Sequence, residues 1–452
     1  MNVHFIAIGG AVMHNLALAL HKLGHRVTGS DDEIYDPAQH RLREAGILPA
    51  AQGWFPERIT PELDTIILGM HAKKDNPELL RAQELGLKVL SFPEFIHEHS
   101  KMKQRVVIAG SHGKTTITAM VMHVLKTLGR KFDYLVGAEL DGFDLTVRLS
   151  EDAPVIIMEG DEYLASPLDR RSKFLLYKPH NVLISGIAWD HINVFPTEEE
   201  YNRQFALLIQ SLPKAGTLVF NEEDRVLNQL VEQFSREEEQ YIFPYRTPEY
   251  RIRDNRFEVR IAGERMGVEV IGAHNMANIA GAFYLCKQMA VEAPDFLRAI
   301  STFKGAARRL EKVYEDAGNV VYKDFAHSPS KVVATVGAIR ELFGKANIVA
   351  CLELHTFSSL NKAFLKQYRR TLKTLKKKII FVNEHTLAQK NYPPISRAEL
   401  VEAFDDPEIE LATNLDDLKA KLRGSRSGSR NVFLMMSSGN FGNLDLQEIP
   451  RI

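Results

Sequence analysis

Only two cysteines, Cys286 and Cys351, occur in 452 residues, too few for a disulfide framework. Both sit in apolar surroundings that suit buried, reduced thiols in a cytoplasmic protein. Net charge is also missing: 57 basic residues face 58 acidic ones, which argues against a general nucleic-acid or membrane-surface binder. No apolar run approaches the roughly 20 residues of a spanning helix, and no basic segment or cleavage site precedes the strand-like opening VHFIAIGG. Internal repeats and low-complexity tracts are absent as well. What is there, 45% hydrophobic and 25% charged residues, fits a soluble globular enzyme of the cytosol. At roughly 100 to 200 residues per domain, the length suggests two to four domains, with three as the expectation.

The stretch from Arg105 to Leu128, RVVIAGSHGKTTITAMVMHVLKTL, reads as a buried strand, a tight loop and an amphipathic helix. Gly110, Ser111, His112 and Gly113 let backbone N–H groups approach an anion at the helix start, where Lys114 adds a positive charge. Thr115 offers a hydroxyl to a magnesium ion bridging phosphate oxygens, and Thr116 follows it. The usual spacing wants a glycine where Ile108 stands, so this is a shortened G-x-x-G-K-T-T phosphate loop. An ordinary strand-to-helix turn is the bland alternative.

Before this loop the chain opens in a Rossmann-like way: a strand from Val3 to Ile8, the pair Gly9-Gly10, a helix from Ala11 to Leu23, and a second strand ending at Ser30-Asp31. Ala7 and Val12 replace two fingerprint glycines, so a modified nucleotide fits better than a dinucleotide, with a purely structural turn as the alternative. Strand and helix units continue through Thr65–Gly69, Pro77–Leu85 and Lys88–Phe92, and the polar stretch His97 to Gln104 reads as a linker.

After the loop, an apolar strand from Val155 to Met158 delivers Glu159, Asp161 and Glu162 at its carboxyl end, facing the crevice of an open α/β sheet. A strand from Val182 to Ile187 leads to Trp189, Asp190 and His191. A carboxylate and an imidazole beside Thr115 could complete a magnesium site. A helix follows from Glu198 to Leu212, then a hairpin around Gly263 between Phe257 and Gly272. His274, Asn275 and Asn278 open an apolar helix to Met289, where they either cap it or read an adenine edge. Arg308 and Arg309 pair two guanidinium groups at a junction, suited to phosphate clamping. Beyond them come a strand bringing Asp324, the turn Ala326-His327-Ser328-Pro329, and alternating elements that imply a third parallel α/β domain. The Lys376 to Lys378 run reads as solvated and Gly424 to Arg430 as a flexible surface loop.

Taken together, SHGKTT, MEGDEY, WDH, GAHNMAN, ARRLE and DFAHSP resemble, in order and spacing, the motifs of the Mur ligases. The resemblance covers essentially the whole chain. It implies an α/β protein of three domains: a Rossmann-like UDP-binding domain at 1–98, a P-loop ATPase domain at 104–307 and a C-terminal Rossmann-like domain at 308–452. It implies an ATP-dependent amide ligase of peptidoglycan metabolism acting through an acyl phosphate, with ATP and magnesium. HFIAIGGAVM and VTGSD are similar to the branch working directly on UDP-N-acetylmuramate. The absence of a lysine around Arg203 to Ala206 agrees with that branch.

Within the branch the resemblance favours members that attach a tripeptide in recycling, with L-alanine as the alternative amino component. SDDEIYDP and LDRRSKFLLYKP resemble members that attach the tripeptide L-alanyl-γ-D-glutamyl-meso-diaminopimelate, in recycling; LELHTFSSLN looks more like those that attach L-alanine. Gly186, where the family usually has asparagine, and Lys323, replacing an acid, depart from the pattern. By resemblance, Lys114, Glu159, His191 and Arg309 are catalytic. Thr115 and Glu159 hold one ion and His191 a second. Gly110 to Thr116, His274, Asn275, Asn278, Arg309, Asp324 and His327 surround ATP, and Gly9, Gly10, Ser30 and Asp31 take the UDP. His355 is a candidate base for the amine, and closure of domains should accompany turnover. Two other classes compete: a nicotinamide oxidoreductase, which leaves the phosphate loop unexplained, and a non-catalytic UDP-sugar sensor.

Overall fold

The computed structural model describes residues 1–189, 194–253, 256–306, 310–344, 346–428 and 430–452. Asp190, His191, Arg308 and Arg309 therefore lie outside the described residues. The remaining chain forms sheets of four, seven, three and six strands. Three of these are mainly parallel, as expected from short Val/Ile/Leu runs alternating with helices.

The four-stranded sheet runs Arg26–Ser30, Asn2–Ile6, Thr65–Leu68, Val89–Ser91, all parallel. Its first strand feeds the helix Ala11–Lys22, whose residues Met13 to Leu20 are buried. The expected glycine turn is present, but Ala7 takes a φ of 69°, an uncommon conformation for a residue with a Cβ. Ser30 O accepts from both Ala7 N and Ile8 N, so the second strand's end clamps the turn.

In the seven-stranded sheet the order is Tyr241–Tyr245, Thr217–Asn221, Asn181–Ile184, Gln104–Ala109, Val155–Glu159, Asp133–Leu135, Val147–Arg148. Only the last strand pairs antiparallel. Ile108 is fully buried inside the strand Gln104–Ala109. The shortened loop is thus explained: the strand carries through position 108 and the turn begins only at Gly110.

Three expectations are corrected here. The stretch from His97 to Gln104 is no solvated linker: the helix Phe92–His99 runs into it, Ser100 is fully buried, and Lys103 is buried against Asp133 at 2.5 Å. Lys378 is not solvated either, because its ammonium is buried between Asp406 and Glu408. Nor do Gly424 to Ser427 form a loose loop. Helix Leu415–Gly424 includes its first residue, Ser425 is buried, and Arg426 and Ser427 bond to Ile449 O and Asn431 Oδ1.

The predicted hairpin is present as Arg256–Ile261 and Glu264–Val268 around Ala262-Gly263, both at positive φ, the two-residue turn that matches strand twist. A third strand, Tyr250–Arg253, extends it. The six-stranded sheet runs Glu311–Glu315, Asn319–Asp324, Asn431–Met436, Asn347–Glu353, Lys377–Phe381, Ile409–Ala412, antiparallel only at its first pair.

By contacts the chain divides into two compact units. Met1–Ile187, Thr197–Arg246 and Gly281–Phe296 form the first, which holds the four- and seven-stranded sheets together; the second holds the hairpin and the six-stranded sheet. Cys286 and Cys351 are buried free thiols, with burial raising both above the ordinary thiol value. No helix among the described residues is long and apolar enough to cross a membrane.

Burial holds His14, His97, His99 and His180 below the usual 6.5, with Arg105 adding to the effect at His97 and His180 and Lys103 at His99. A folded value below the unfolded one means that the unfolded chain takes up more protons as pH falls through about 6.5, so stability is full above that value and drops below it. Asp31 opposes this, being raised to about 6. The denaturant midpoint of the first unit is expected to fall between pH 7 and pH 5, and replacing His97 and His99 by glutamine should flatten that slope. An unchanged slope would overturn this assignment.

Candidate functional site: a phosphate loop backed by acids

The helix Lys114–Thr127 starts directly after Gly113, whose φ of 81° makes the tight entry, and its first turn carries no acidic residue. Gly110 has a φ of 125°, and a Cβ there would lie 2.3 Å from Ser185 Oγ. Only glycine fits so strained and crowded a position. The loop is clamped from the neighbouring strand: Ser111 N donates to Gly186 O at 2.9 Å, and Ser185 Oγ donates to His112 O. That strand ends at Ile184, earlier than the expected Ile187, so that 185–187 serve as the clamp.

Gly186 departs from the family pattern for a visible reason. Its φ is 149°, and a Cβ would lie 2.9 Å from Asp224 Oδ2 and 3.0 Å from His112 Nε2. No asparagine side chain can enter here without displacing both.

Acids delivered by strand Val155–Glu159 back the loop as expected. Thr115 Oγ1 donates to Glu159 Oε1 at 2.8 Å, and Gly137 N to Glu159 Oε2 at 2.9 Å. Lys114 Nζ donates to Gly110 O at 2.6 Å and to Glu162 Oε2 at 2.9 Å. Burial alone would depress the Lys114 ammonium, but Glu162, with Asp161 and Glu159 behind it, outweighs burial and holds it above the usual lysine value. The acids around it therefore favour the charged ammonium at the helix start. Tyr201, not foreseen from sequence, ties the set together: its hydroxyl donates to Glu162 Oε1 at 3.0 Å and lies 2.8 Å from Ser111 Oγ. Asp161 is drawn off to Lys173 at 2.6 Å. Thr116 is buried in the first helical turn.

In the first sheet, Asp31 Oδ2 accepts from Gly9 N at 2.7 Å, and His14 Nδ1 bonds Gly10 O at 2.9 Å. Ser30 is fully buried, so it shapes the turn from behind. Burial, reinforced by Asp32 and opposed by the Gly9 N–H, pushes the Asp31 carboxyl up to about 6.

The second unit holds the other group of expected nucleotide residues. His274, Asn275 and Asn278 lie in the first turns of helix Ala273–Lys287. Neither asparagine caps the helix with its side chain: Asn275 Nδ2 donates to Ile271 O and Asn278 Nδ2 to Asn275 Oδ1. Burial lowers His274 while Asp324 pulls it upward, so these two are electrostatically linked. Asp324, at the end of strand Asn319–Asp324, accepts from Leu310 N at 3.1 Å and from the Thr335 hydroxyl. His327 Nδ1 meets Phe325 O at 2.8 Å.

Two family models match the chain. Residues 2–104 match the model described as Mur ligase family, catalytic domain, and residues 108–286 match the Mur ligase middle domain. The UDP-N-acetylmuramate–L-alanyl-γ-D-glutamyl-meso-2,6-diaminoheptandioate ligase of Escherichia coli is 29% identical over 98% of this chain and 96% of its own. The UDP-N-acetylmuramate–L-alanine ligase of Caldicellulosiruptor bescii is 31% identical over 92% of this chain and 91% of its own. A solved structure of the tripeptide-using ligase of Neisseria is 25% identical, covers 68% of this chain and 99% of its own, and superposes with a TM-score of 0.61. With a relative 31% identical aligned along nine-tenths of both chains, and with the two family models together matching more than half of this chain, the chain belongs to the Mur ligase family.

Proposed function

We propose that this protein is an ADP-forming ligase that joins L-alanyl-γ-D-glutamyl-meso-diaminopimelate to UDP-N-acetylmuramate at the expense of ATP. The observation that carries the reading is the assembled phosphate loop, in which Lys114 and Thr115 are already engaged by Glu162 and Glu159. Relatives of both substrate types align along nearly the whole chain. LDRRSKFLLYKP favours the tripeptide; the LELHTFSSLN segment and the alanine-using relative support L-alanine as the second reading.

A carboxylate is a poor electrophile, so amide formation needs a better leaving group. The muramate carboxylate would attack the γ-phosphate, and the amine would then displace phosphate from the acyl phosphate. Positioning and charge neutralisation dominate such chemistry, so no covalent protein nucleophile is needed. Gly110 to Thr116 would bind the phosphates, and Lys114 would move from Glu162 to the transferring group. The Thr115 hydroxyl and Glu159 carboxylate are hard oxygen donors, a set that fits a magnesium ion otherwise held by phosphate and water. Such an ion would offset charge on the phosphoryl group. His274, Asn275, Asn278, Asp324, His327 and Arg309 are assigned to ATP, Gly9, Gly10, Ser30 and Asp31 to UDP, and His191 to a second ion. Domains at 1–98, 104–307 and 308–452 would divide these tasks.

The test is phosphate release from ATP with magnesium and UDP-N-acetylmuramate, comparing the tripeptide with L-alanine. Turnover with the tripeptide alone is the expected result. Turnover with L-alanine establishes the second reading, and nucleotide-sugar binding without turnover establishes a sensor.

A further inference from the structure

In the six-stranded sheet, chain leaving strand Asn347–Glu353 packs on one face, through Leu354, Leu360 and Phe364, with helix Pro329–Phe343. Chain leaving the adjacent strand Asn431–Met436 packs on the opposite face, through Phe441, Leu444 and Ile449, with helix Leu415–Gly424. Where neighbouring strands send their connections to opposite faces, a crevice opens at their carboxyl ends, the usual ligand position in open α/β sheets. Glu353 ends the first strand and Ser437 follows the second.

Glu353 is 2% exposed. Its Oε2 accepts from the Ser437 hydroxyl and from Phe441 N at 2.9 Å, which fixes the carboxylate. Its Oε1 faces His355 Nδ1 at 3.9 Å, too long for a hydrogen bond. That Nδ1 is itself buried without a hydrogen-bond partner. Gly439 covers this edge of the ring so closely that a Cβ would lie 2.9 Å from Nδ1. A third of the His355 side chain is nonetheless exposed, and Nε2 is the remaining ring nitrogen. Lys390 Nζ anchors the His355 carbonyl and lies 5.0 Å over the ring of Phe357, a 59% exposed aromatic at the rim.

A buried carboxylate and an orphaned imidazole nitrogen, facing each other at a strand-end crevice, are costly to maintain for structure alone. We propose that this pair receives the ammonium group of the amino component, with His355 Nε2 taking its proton and Glu353 holding the ring and the imidazolium that results. The proposal rests on the ligase reading and adds Glu353 as a positioning residue. The ammonium gives one proton to Nε2, and the freed lone pair forms the C–N bond at the acyl carbon. The C–O bond to the phosphoryl group breaks with its electron pair on phosphate, and the second nitrogen proton leaves to water. Burial and Lys390 hold His355 below its usual value against the pull of Glu353, so the ring is neutral and able to accept a proton near pH 7. Contacts between base and orienting group are often long before substrate binds and tighten afterwards.

Hydroxylamine separates the steps, because it is already neutral near pH 7 and attacks acyl phosphates without losing a proton first. In His355→Gln, ligation of the ammonium substrate should fall about 100-fold or more, while hydroxamate formation from UDP-N-acetylmuramate, ATP and hydroxylamine falls less than about 3-fold. Glu353→Gln should lower kcat about 10-fold with little change in KM and move the acid limb of the kcat/KM profile to lower pH. Equal loss with both nucleophiles overturns the role of His355, and an unmoved pH limb overturns that of Glu353. Should Glu353→Gln fail to fold, Ser437→Ala removes one of its anchors and carries the same pH expectation. If the unaltered protein forms neither amide nor hydroxamate, the ligase reading itself falls.

Discussion

Lys114→Ala is expected to lower muramate-dependent phosphate release by at least about 1000-fold while leaving UDP-N-acetylmuramate binding, followed by calorimetry, within about 3-fold. The lysine stands at the start of helix Lys114–Thr127, and three carboxylates behind it keep it charged. The residues proposed to take the nucleotide sugar, Gly9, Gly10, Ser30 and Asp31, belong to a different sheet, so that binding is read separately from the loss of the cation. One complication is built into the geometry. Glu162, 1% exposed, keeps the Tyr201 hydroxyl but loses its cation in this variant, and burying a carboxylate without its countercharge is destabilising. The double variant Lys114→Ala, Glu162→Gln should regain stability without regaining turnover. Retained phosphate release in either variant would sink the phosphate-loop assignment.

The second large effect is on stability. Lys103 and Asp133 are 7% and 0% exposed, and the carboxylate also accepts from Ser150 N at 3.1 Å and Ser150 Oγ at 2.7 Å. Asp133→Ala strands an ammonium in the interior and should cost about 3–5 kcal/mol, a large share of the stability of a domain. Replacing both partners, Lys103→Met with Asp133→Leu, should return most of that loss, because two desolvated charges are then removed together. Urea unfolding of the three proteins checks this. An Asp133→Ala midpoint equal to that of the parent would mean that water reaches Lys103 despite its burial.

Strands buried on both faces are legible because their central residues are a run of apolar side chains, and Gln104–Ala109 and Val155–Glu159 were foreseen on that ground. The phosphate loop is equally local: glycine, lysine and threonine lie within seven residues of each other. Lys103 read as part of a linker, Lys378 as solvated and Ser425 as part of a surface loop because charge and polarity predict exposure unless a partner intervenes. Here the partners lie 30 residues on for Lys103 and 28 for Lys378. Glu353 was passed over for the same reason, since Ser437 and Phe441, 84 and 88 residues away, give it its surroundings. Tyr201 was hidden too. A tyrosine inside an amphipathic helix is ordinary core material until its hydroxyl is seen between Ser111 and Glu162.

The strand Asn431–Met436 lies in the middle of the six-stranded sheet, paired on one side with Asn319–Asp324 and on the other with Asn347–Glu353. A ribosome delivers it after all the other strands of that sheet. Until it emerges, those strands can assemble only as two separate pieces with unpaired inner edges, each a template for another chain. This part of the molecule must therefore wait until residue 436 has been translated, while the first two sheets, completed by residue 245, are free to form earlier. Chaperone dependence and the damage done by premature stop codons should accordingly concentrate in the last third of the chain.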